Sequence, residues 1–430
     1  MLSAPPLAVG EAMHQLIAEL FPICRSITGD GVRQTLARLQ EHVPLTIHEV
    51  PTGTPVFDWI VPKEWNVRDA WVKNARGELV IDLRQSTLHV VSYSVPVRRR
   101  LSLAELRPRL HSIPGQPDII PYRTNYYRED WGFCLSHNRL EAMEDGEYEV
   151  CIDSTLAPGA LTYGEYFVPG VSPEEILISC HCCHPSLAND NLSGVALTTM
   201  LGRRAATQRL LLSYRFLFIP ATIGSITWLA CNQAATTRIK GGLVLSCVGD
   251  RGPVTYKKSR RGDASIDHAA AHVLRHRGVP ERVRDFAPYG HDERQYCSPG
   301  FNLPVGCFTR TPNGEFPEYH SSADDLDFVT AESLADSYAA VTEIVEIIEQ
   351  NRSYVRLNPM CEPQLGRRGL YHGLAGRAQL ADVEMALLWV LNLSDGGASL
   401  LDIAERAGIH FSLVRGAADM LLSEGLIRAA

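Results

Sequence analysis

The chain has 430 residues, a formal net charge of −8 and ordinary proportions of hydrophobic and aromatic residues. This length predicts two or three domains, because a single hydrophobic core seldom grows so large. The acidic balance argues against nucleic acid or an anionic membrane as the main partner. No apolar run is long enough to span a membrane, and the N-terminus lacks the pattern of a signal peptide. We therefore expect a soluble, cytoplasmic protein.

Three sequence patterns follow one another along most of the chain. Residues 12–39 look helical, and from about residue 50 to 160 short β-branched and aromatic stretches alternate with Pro and Gly turns. Strands and helices then alternate up to about residue 350, with buried strands predicted over residues 176–179, 214–219 and 243–248. Thr330 is the predicted N-cap of the last helix in this region. The pattern indicates an α/β domain with a β-rich insertion.

The C-terminal region has the spacing of a winged helix-turn-helix. Residues 351–376 look like a linker, three short amphipathic helices are predicted over 382–393, 399–407 and 412–424, and residues 425–428 would begin a wing. Residues 381–430 hold three arginines against seven carboxylates, which disfavours phosphate contacts. We therefore expect a protein contact, such as homo-oligomerisation, rather than nucleic-acid binding.

The loop of residues 179–194 (SCHCCHPSLANDNLSG) follows a predicted buried strand and is rich in metal-ligand side chains. His184 and Asp190 lie on it, and His320 lies in another polar segment before a helix. Imidazole and carboxylate ligands around an open position are what a hydrolytic zinc site requires. Two other interpretations remain open. In the first, His184 is a loop histidine packed beneath the cysteines. In the second, Cys180, His181, Cys182 and Cys183 form a structural zinc knuckle, although their spacing is poor for one.

Five segments resemble a known family: residues 20–31 (LFPICRSITGDG), 56–59 (VFDW), 61–65 (VPKEW), 183–194 (CHPSLANDNLSG) and 292–296 (DERQY). They are similar to bacterial aminopeptidase-like zinc proteins, which carry an inserted β-domain and a C-terminal winged helix. The resemblance covers nearly the whole chain. It implies an α/β fold whose zinc-aminopeptidase-like core has a mixed, largely parallel sheet. The implied domains are the core (1–50 and 155–375), the inserted β-rich domain (51–154) and the winged-helix domain (376–430).

The resemblance also implies a zinc site. His184 matches the first histidine ligand, Asp190 the aspartate that ligates or bridges metal, and His320 the late histidine ligand. Asp250 is the carboxylate nearest to the position of a further acidic ligand, and it is equally compatible with a turn residue. Because Thr222 occupies the place of another carboxylate ligand, one zinc held by three side chains is the economical arrangement.

The chain departs from the family where the general base is expected. The family motif PETIGS reads PATIGS at residues 220–225, so Ala221 stands in the position of a glutamate. Loss of a general base typically costs about 10²–10⁴-fold in rate. Three explanations remain open: a deliberately replaced glutamate, a natural pseudoenzyme, or a base recruited from elsewhere, such as Glu293.

Candidate substrate contacts come from polar clusters and from the family comparison. Arg25 and Arg123 each lie among aromatic and apolar residues, where an arginine could clamp a carboxylate. A structural ion pair between the β-rich module and the core is an equal alternative for each. Asp292 and Tyr296 match a stretch that borders the cleft in zinc aminopeptidases. His291 stands where a small polar residue is expected.

The sequence therefore predicts a zinc-dependent hydrolase of an amide or peptide bond in a small peptide or peptide-like metabolite. One rival is a non-catalytic, ligand-sensing or regulatory protein with a degenerate metal site, which Ala221 supports. Another is a zinc acyltransferase or cyclase that shares this core. The mass of the product separates the last two reactions, because hydrolysis adds water and cyclisation with loss of ammonia does not.

Overall fold

The structure is a computed structural model that describes residues 6–370 and 378–430. The chain divides into two compact units, one of residues 1–262 with 284–339 and one of residues 263–283 with 340–430. The predicted domain boundary between residues 375 and 376 lies outside the described residues. None of the described helices is both long and apolar enough to cross a membrane.

The elements follow in chain order. The first part contains α1 (Pro6–Leu20), α2 (Asp30–Gln40), β1 (Thr46–Pro51), β2 (Pro55–Val56), β3 (Trp59–Ile60), β4 (Glu64–Lys73), β5 (Leu79–Asp82), β6 (Val97–Ser102), α3 (Leu103–Leu106), β7 (Leu110–His111), β8 (Phe133–Cys134), α4 (His137–Glu141) and β9 (Glu147–Ala157). The middle part contains β10 (Ala160–Val168), β11 (Glu175–His181), α5 (Gly194–Ala205), β12 (Ser213–Ile219), α6 (Ile223–Cys231), α7 (Gln233–Thr236), β13 (Ile239–Leu245), β14 (Thr255–Lys257), α8 (Ser265–His276), β15 (Val283–Arg284), α9 (Glu293–Tyr296), β16 (Val305–Thr309) and α10 (Ala331–Gln350). The last part contains β17 (Ser353–Arg356), α11 (Ala378–Leu393), β18 (Asp395–Ser399), α12 (Leu400–Ala407), α13 (Phe411–Ser423) and β19 (Ile427–Ala429).

An eight-stranded mixed sheet organises the larger unit, in the order β1-β10-β12-β11-β13-β16-β14-β15. Its four central strands, β12, β11, β13 and β16, are parallel. The pairs β1–β10, β10–β12 and β14–β16 are antiparallel. Every residue of β11 and β12 is buried, as expected for central parallel strands covered on both faces. The predicted α/β class and mixed sheet are confirmed.

The β-rich segment forms a four-stranded sheet in the order β5-β4-β9-β6. Alternate residues of β9 are buried, which is the period-two pattern of a sheet with one covered face. Its buried side chains Val72 and Val150 belong to the same hydrophobic cluster as Leu177 and Val244 of the large sheet. The inserted segment therefore shares a core with the α/β sheet, and the division into separate domains remains a proposal.

The C-terminal part has three helices and a small sheet of order β18-β17-β19. Helix α12 begins with a capping box, in which the side chains of Ser399 and Asp402 each accept a hydrogen bond from the other residue's backbone N–H. The helix ends at Ala407 and is capped by Gly408, whose φ is 66°. The predicted winged helix-turn-helix is confirmed. The predicted linker contains β17, a strand that sequence periodicity did not indicate.

Candidate metal centre

A cavity of about 330 Å³ opens at the carboxyl ends of the parallel strands β11 and β12. This edge is where open α/β sheets place their ligands, because the loops that follow the strands converge there. His181 is the last residue of β11, and Ala221 follows the end of β12. Aromatic and apolar side chains make up much of the wall, including Ile27, Trp59, Tyr122, Tyr127 and Ile226.

Asp190 is the centre of the polar part of this cavity. Its Oδ1 is 2.9 Å from Nε2 of His181, and its Oδ2 is 2.9 Å from Nε2 of His320. Two sets of possible metal ligands share this carboxylate, with ligand atoms within 4.8 Å of one another: His184 with His320, and His181 with His291. Three residues predicted as ligands, His184, Asp190 and His320, thus lie together.

The unpaired atoms of this cluster fit a metal ion. Oδ2 of Asp190 and Nε2 of His320 are buried without a hydrogen-bond partner, since their close approach lacks hydrogen-bond geometry. Nε2 of His291 is also buried and unpartnered. Buried polar atoms are normally satisfied, so such a group of orphaned donor atoms needs a ligand. Imidazole nitrogens with a carboxylate oxygen form a typical zinc ligand set.

The protonation states of His184, His291 and Asp190 also suit metal binding, which requires neutral imidazole and ionised carboxylate. Burial lowers the pKa of His184 well below its usual value and that of His291 to about 4. Burial alone would raise the pKa of Asp190, but the surrounding histidines hold it well below its usual range. Burial opposes protonation of His181 as well, yet its hydrogen bond to Asp190 leaves the pKa of His181 raised.

The loop that carries Asp190 is fixed by buried hydrogen bonds. The Asp324 carboxylate accepts from the backbone N–H groups of Asn189 (2.5 Å) and Asp190 (2.9 Å). Asn191 Oδ1 accepts from the N–H groups of Gly194 and Cys247, which ties the start of α5 to the end of β13. Such outer contacts orient metal ligands and contribute to metal affinity.

Two protein-family models match this chain. A family model described as "Domain of unknown function (DUF4910)" matches residues 14–351, and a winged helix-turn-helix model matches residues 352–429. The chain belongs to the DUF4910 family.

Two relatives are similar to this chain over nearly their full length. A protein of Clostridium acetobutylicum named "Putative polysaccharide biosynthesis protein with aminopeptidase-like domain" is 52% identical over 419 residues, which is 97% of this chain and 96% of the relative. A crystal structure described as a "putative peptidase" from Clostridium acetobutylicum is 51% identical, with a TM-score of 0.95 over 99% of this chain and 97% of that chain.

BSAP, a zinc aminopeptidase from Bacillus subtilis, is 12% identical with a TM-score of 0.57, and the match covers 79% of this chain and 94% of that chain. This last likeness shows the fold alone. The predicted resemblance to aminopeptidase-like proteins with a winged helix is confirmed.

Several residues predicted for the site lie elsewhere in this DUF4910 chain. Asp250 lies outside both candidate ligand sets: its carboxylate accepts from Thr311 Oγ1 (2.7 Å) and from the N–H of Gly252 (2.7 Å), the contacts of a turn residue. Arg123 is exposed and does not line the cavity. These two predictions are corrected.

The stretch that contains Asp292 and Tyr296 passes behind the cavity wall. Asp292 is fully buried and accepts a hydrogen bond from Ser225 Oγ (2.7 Å), and the Tyr296 hydroxyl lies 3.0 Å from Ser179 Oγ. Neither lines the cavity. The structure therefore places both behind the cavity wall, with Asp292 Oδ1 bonded to Ser225 of α6 and Tyr296 beside Ser179 of β11.

Arg25 is also a correction, because it is a supporting residue and not a substrate clamp. Its side chain is fully buried and outside the cavity. Nε donates to the carbonyl of His184 (2.9 Å) and Nη1 to the carbonyl of Leu20 (2.6 Å). The structural alternative considered for Arg25 was an ion pair, whereas its partners are two main-chain carbonyls and, at 3.5 Å, the hydroxyl of Thr35.

Ala221 lines the cavity, as its predicted place in the base position requires. Glu293, the predicted substitute, does not: it is fully buried, lies outside the cavity and places Oε1 2.5 Å from Nζ of Lys257. Its assignment as a recruited base is therefore corrected. Asp190 is the sole carboxylate among the described residues that surround the cavity.

Sequence reasoning missed three residues of the site: His181, His291 and Arg294 all line the cavity. His181 was considered only within a cysteine-based zinc knuckle. The described residues place no cysteine in either candidate ligand set, which leaves that knuckle without support. The signal for His181 was its position at the carboxyl end of a central strand. For His291 and Arg294 it was their place in and beside the DERQY motif.

Proposed function

We propose that this chain is a zinc-dependent hydrolase that cleaves an amide bond in a small peptide or peptide-like metabolite. The observation that carries the proposal is the position of Asp190, which lies between imidazole pairs and presents orphaned ligand atoms to a cavity of about 330 Å³. A cavity of this size suits a small molecule. The aminopeptidase-like fold of the family supports the same class of chemistry.

His184, Asp190 and His320 would hold the metal. Zinc, when bound, supplies Lewis-acid polarisation of a substrate carbonyl. Aromatic neighbours fix the imidazoles: the Tyr319 ring stacks on His320 at a centroid distance of 3.9 Å, and the Tyr122 ring meets His184 edge-on at 5.2 Å. These contacts restrict both rings to orientations that face the cavity.

The same cavity explains why turnover should be slow. Ala221 has no proton acceptor, and Asp190 is bonded to His181 through Oδ1 and belongs to the proposed ligand set. No other carboxylate is available among the described lining residues. We therefore expect Ala221→Glu to raise the rate by about 10²–10⁴-fold, the usual contribution of a positioned general base.

The test compares the native chain with Ala221→Glu and with Ala221→Gln, which matches the glutamate in size but has no basic carboxylate. Zinc content is measured by elemental analysis. Activity is assayed on aminoacyl amides and N-acyl amino acids, and also on N-acyl amino sugars, because the Clostridium relative is named for polysaccharide biosynthesis. Turnover in the glutamate variant alone supports the proposal. Bound zinc with no gain on any compound would reject it.

The ligand set has its own readout. His184→Ala and His320→Ala should each lower bound zinc well below one per chain, whereas His268→Ala, at an exposed helical position, should leave it unchanged. Full zinc retention in both cavity variants would remove these residues from the ligand set.

A second candidate is a protein that binds its ligand without turnover. Ala221 and the missing carboxylate favour it, because the cavity and ligand atoms are present while the base is not. In that case substrates of the glutamate variant bind the native chain with zinc present and remain uncleaved over long incubation.

A further inference from the structure

Arg294 is the cationic side chain among the described residues that line the cavity. It lies on α9, lines the cavity and is partly buried, and its Nε is buried without a hydrogen-bond partner. Its side chain forms no ion pair with any residue in the described part of the chain. Arg215, by contrast, is buried between the carboxylates of Glu165 and Glu175. A partly buried, unpaired guanidinium is costly unless a ligand supplies the anion.

Two acidic residues precede Arg294 in sequence, and within the described residues neither forms a hydrogen bond or an ion pair with its guanidinium. Asp292 accepts a hydrogen bond from Ser225 and interacts with Arg294 only by charge through space, and Glu293 is paired with Lys257. Asp190 contacts two histidines instead. The guanidinium therefore faces a cavity in which the one carboxylate of the described lining residues lies against histidines, and a metal ion there would add further positive charge.

This distribution of charge bears on which end of a peptide could bind. A substrate with a free ammonium group would need an acceptor carboxylate, and the described cavity residues offer none besides Asp190. A substrate carboxylate, in contrast, meets an arginine whose planar donors suit bidentate binding. Thr124 and Thr222 line the same cavity and can donate further hydrogen bonds.

The rim suits an apolar or flat group on the same molecule. Trp59 and Tyr127 line the cavity although 45% and 52% of their surface is exposed, and their ring centroids lie 5.3 Å apart. Exposed aromatic faces at a cavity mouth offer contact area to a ligand.

We infer that the ligand of this cavity is an N-acylated compound that carries a carboxylate bound by Arg294 and no free ammonium group. The binding preference does not depend on the proposed hydrolase function; only the reaction does. In that reaction water adds across the amide, the C–N bond breaks, and a carboxylic acid and a primary amine are released. N-acyl amino acids are the simplest members of this class, whereas peptides with a free N-terminus are excluded.

The test is direct binding, measured by calorimetry with three probes: N-acetyl-leucine, N-acetyl-leucinamide and leucinamide. Each probe is titrated into the chelator-treated chain and into the zinc-loaded chain. We expect N-acetyl-leucine to bind at least about tenfold more tightly than the other two, the ordinary value of a charge-assisted pair. If this preference persists without zinc, Arg294 and not the metal binds the carboxylate.

Two variants locate the effect. Arg294→Gln should abolish the preference for the acid over the amide, and Arg294→Lys should restore part of it. Arg123→Gln, at an exposed position outside the cavity, should leave it intact. Circular dichroism verifies that each variant is folded. Equal binding of acid and amide by the native chain, tighter binding of leucinamide, or an unchanged preference in both Arg294 variants would overturn the inference.

The failures of the two proposals are distinguishable. Zinc binding and turnover by Ala221→Glu without any carboxylate preference would reject only the role of Arg294. An Arg294-dependent preference in a chain that binds no zinc and shows no turnover would reject only the hydrolase.

Discussion

Replacing Arg25 by methionine should weaken both the fold and the metal centre, because the guanidinium holds the main chain at His184. Two hydrogen bonds from a charged donor to buried carbonyls would be lost, at 2.9 and 2.6 Å. Such bonds contribute about 1.5–3 kcal/mol each. No carboxylate in the described part of the chain pairs with this side chain, and burial lowers the pKa of Arg25 to about 10, so desolvation offsets part of that gain. We expect a net loss of about 1–3 kcal/mol in the free energy of unfolding.

The zinc affinity of Arg25→Met tests the role of Arg25 more directly than the free energy of unfolding does. Supporting residues typically change metal affinity by about 10–100-fold, so zinc affinity should fall by that factor in Arg25→Met. Urea unfolding of the metal-free chain gives the stability, and competition with a chromophoric chelator gives the zinc Kd. Arg123→Met is the matched control, since this exposed arginine should change stability by less than about 0.5 kcal/mol. Unchanged stability and zinc affinity in Arg25→Met, with weaker binding of N-acetyl-leucine, would instead make Arg25 a substrate contact.

The free energy of unfolding should fall as the pH drops below about 6.5, the ordinary pKa of histidine. Burial lowers the pKa of His272, whose Nε2 accepts a hydrogen bond from the N–H of Phe411 at 3.0 Å. The unfolded chain therefore binds a proton at this residue at a higher pH than the folded chain, and acid favours the unfolded chain. Urea unfolding between about pH 7.5 and 5.5 should show a flatter slope in His272→Gln, and an equal slope would contradict this assignment. Gly194→Ala should cost about 1–3 kcal/mol and weaken zinc binding, because its Cβ would lie 2.4 Å from the Leu245 carbonyl oxygen. Gly202→Ala in the same helix meets nothing nearer than 3.4 Å and should be neutral or stabilising by the same unfolding assay, and equal losses in both would refute the steric argument.

The sequence was sufficient for residues whose role depends on where a strand ends. His184 and Asp190 follow β11, and parallel strands bring their carboxyl ends to one edge, so local pattern and family motifs both point to the cavity. His320 was found by the motif alone. Its approach to Asp190 spans 130 positions of the chain, a distance over which periodicity carries no information.

The sequence was insufficient where packing between distant segments decides the role. Arg25 has the surroundings expected of a substrate clamp, yet its hydrogen bond to His184 spans 159 positions and buries it behind the loop. Asp292 and Arg294 are two residues apart on one short motif, and the turn of α9 sends the first into the core and the second to the cavity. A motif can indicate that a segment borders a cleft, but not which of its side chains faces it.

The unpartnered atoms of the cavity bear on whether Ala221 marks a site that has lost all function. Asp190 Oδ2, His291 Nε2, His320 Nε2 and Arg294 Nε are buried, lack hydrogen bonds and belong to residues that line one cavity. Each such atom costs about 1–3 kcal/mol relative to a satisfied one, so together they weigh heavily against a total stability of about 5–15 kcal/mol. A site without a ligand would gain stability from almost any substitution that removes one of them. Loss of the base at position 221 removes no ligand atom and leaves these costs in place. The arrangement therefore favours a cavity that is still filled, by a cation at the histidines and an anion at Arg294, whether or not the bound molecule is cleaved.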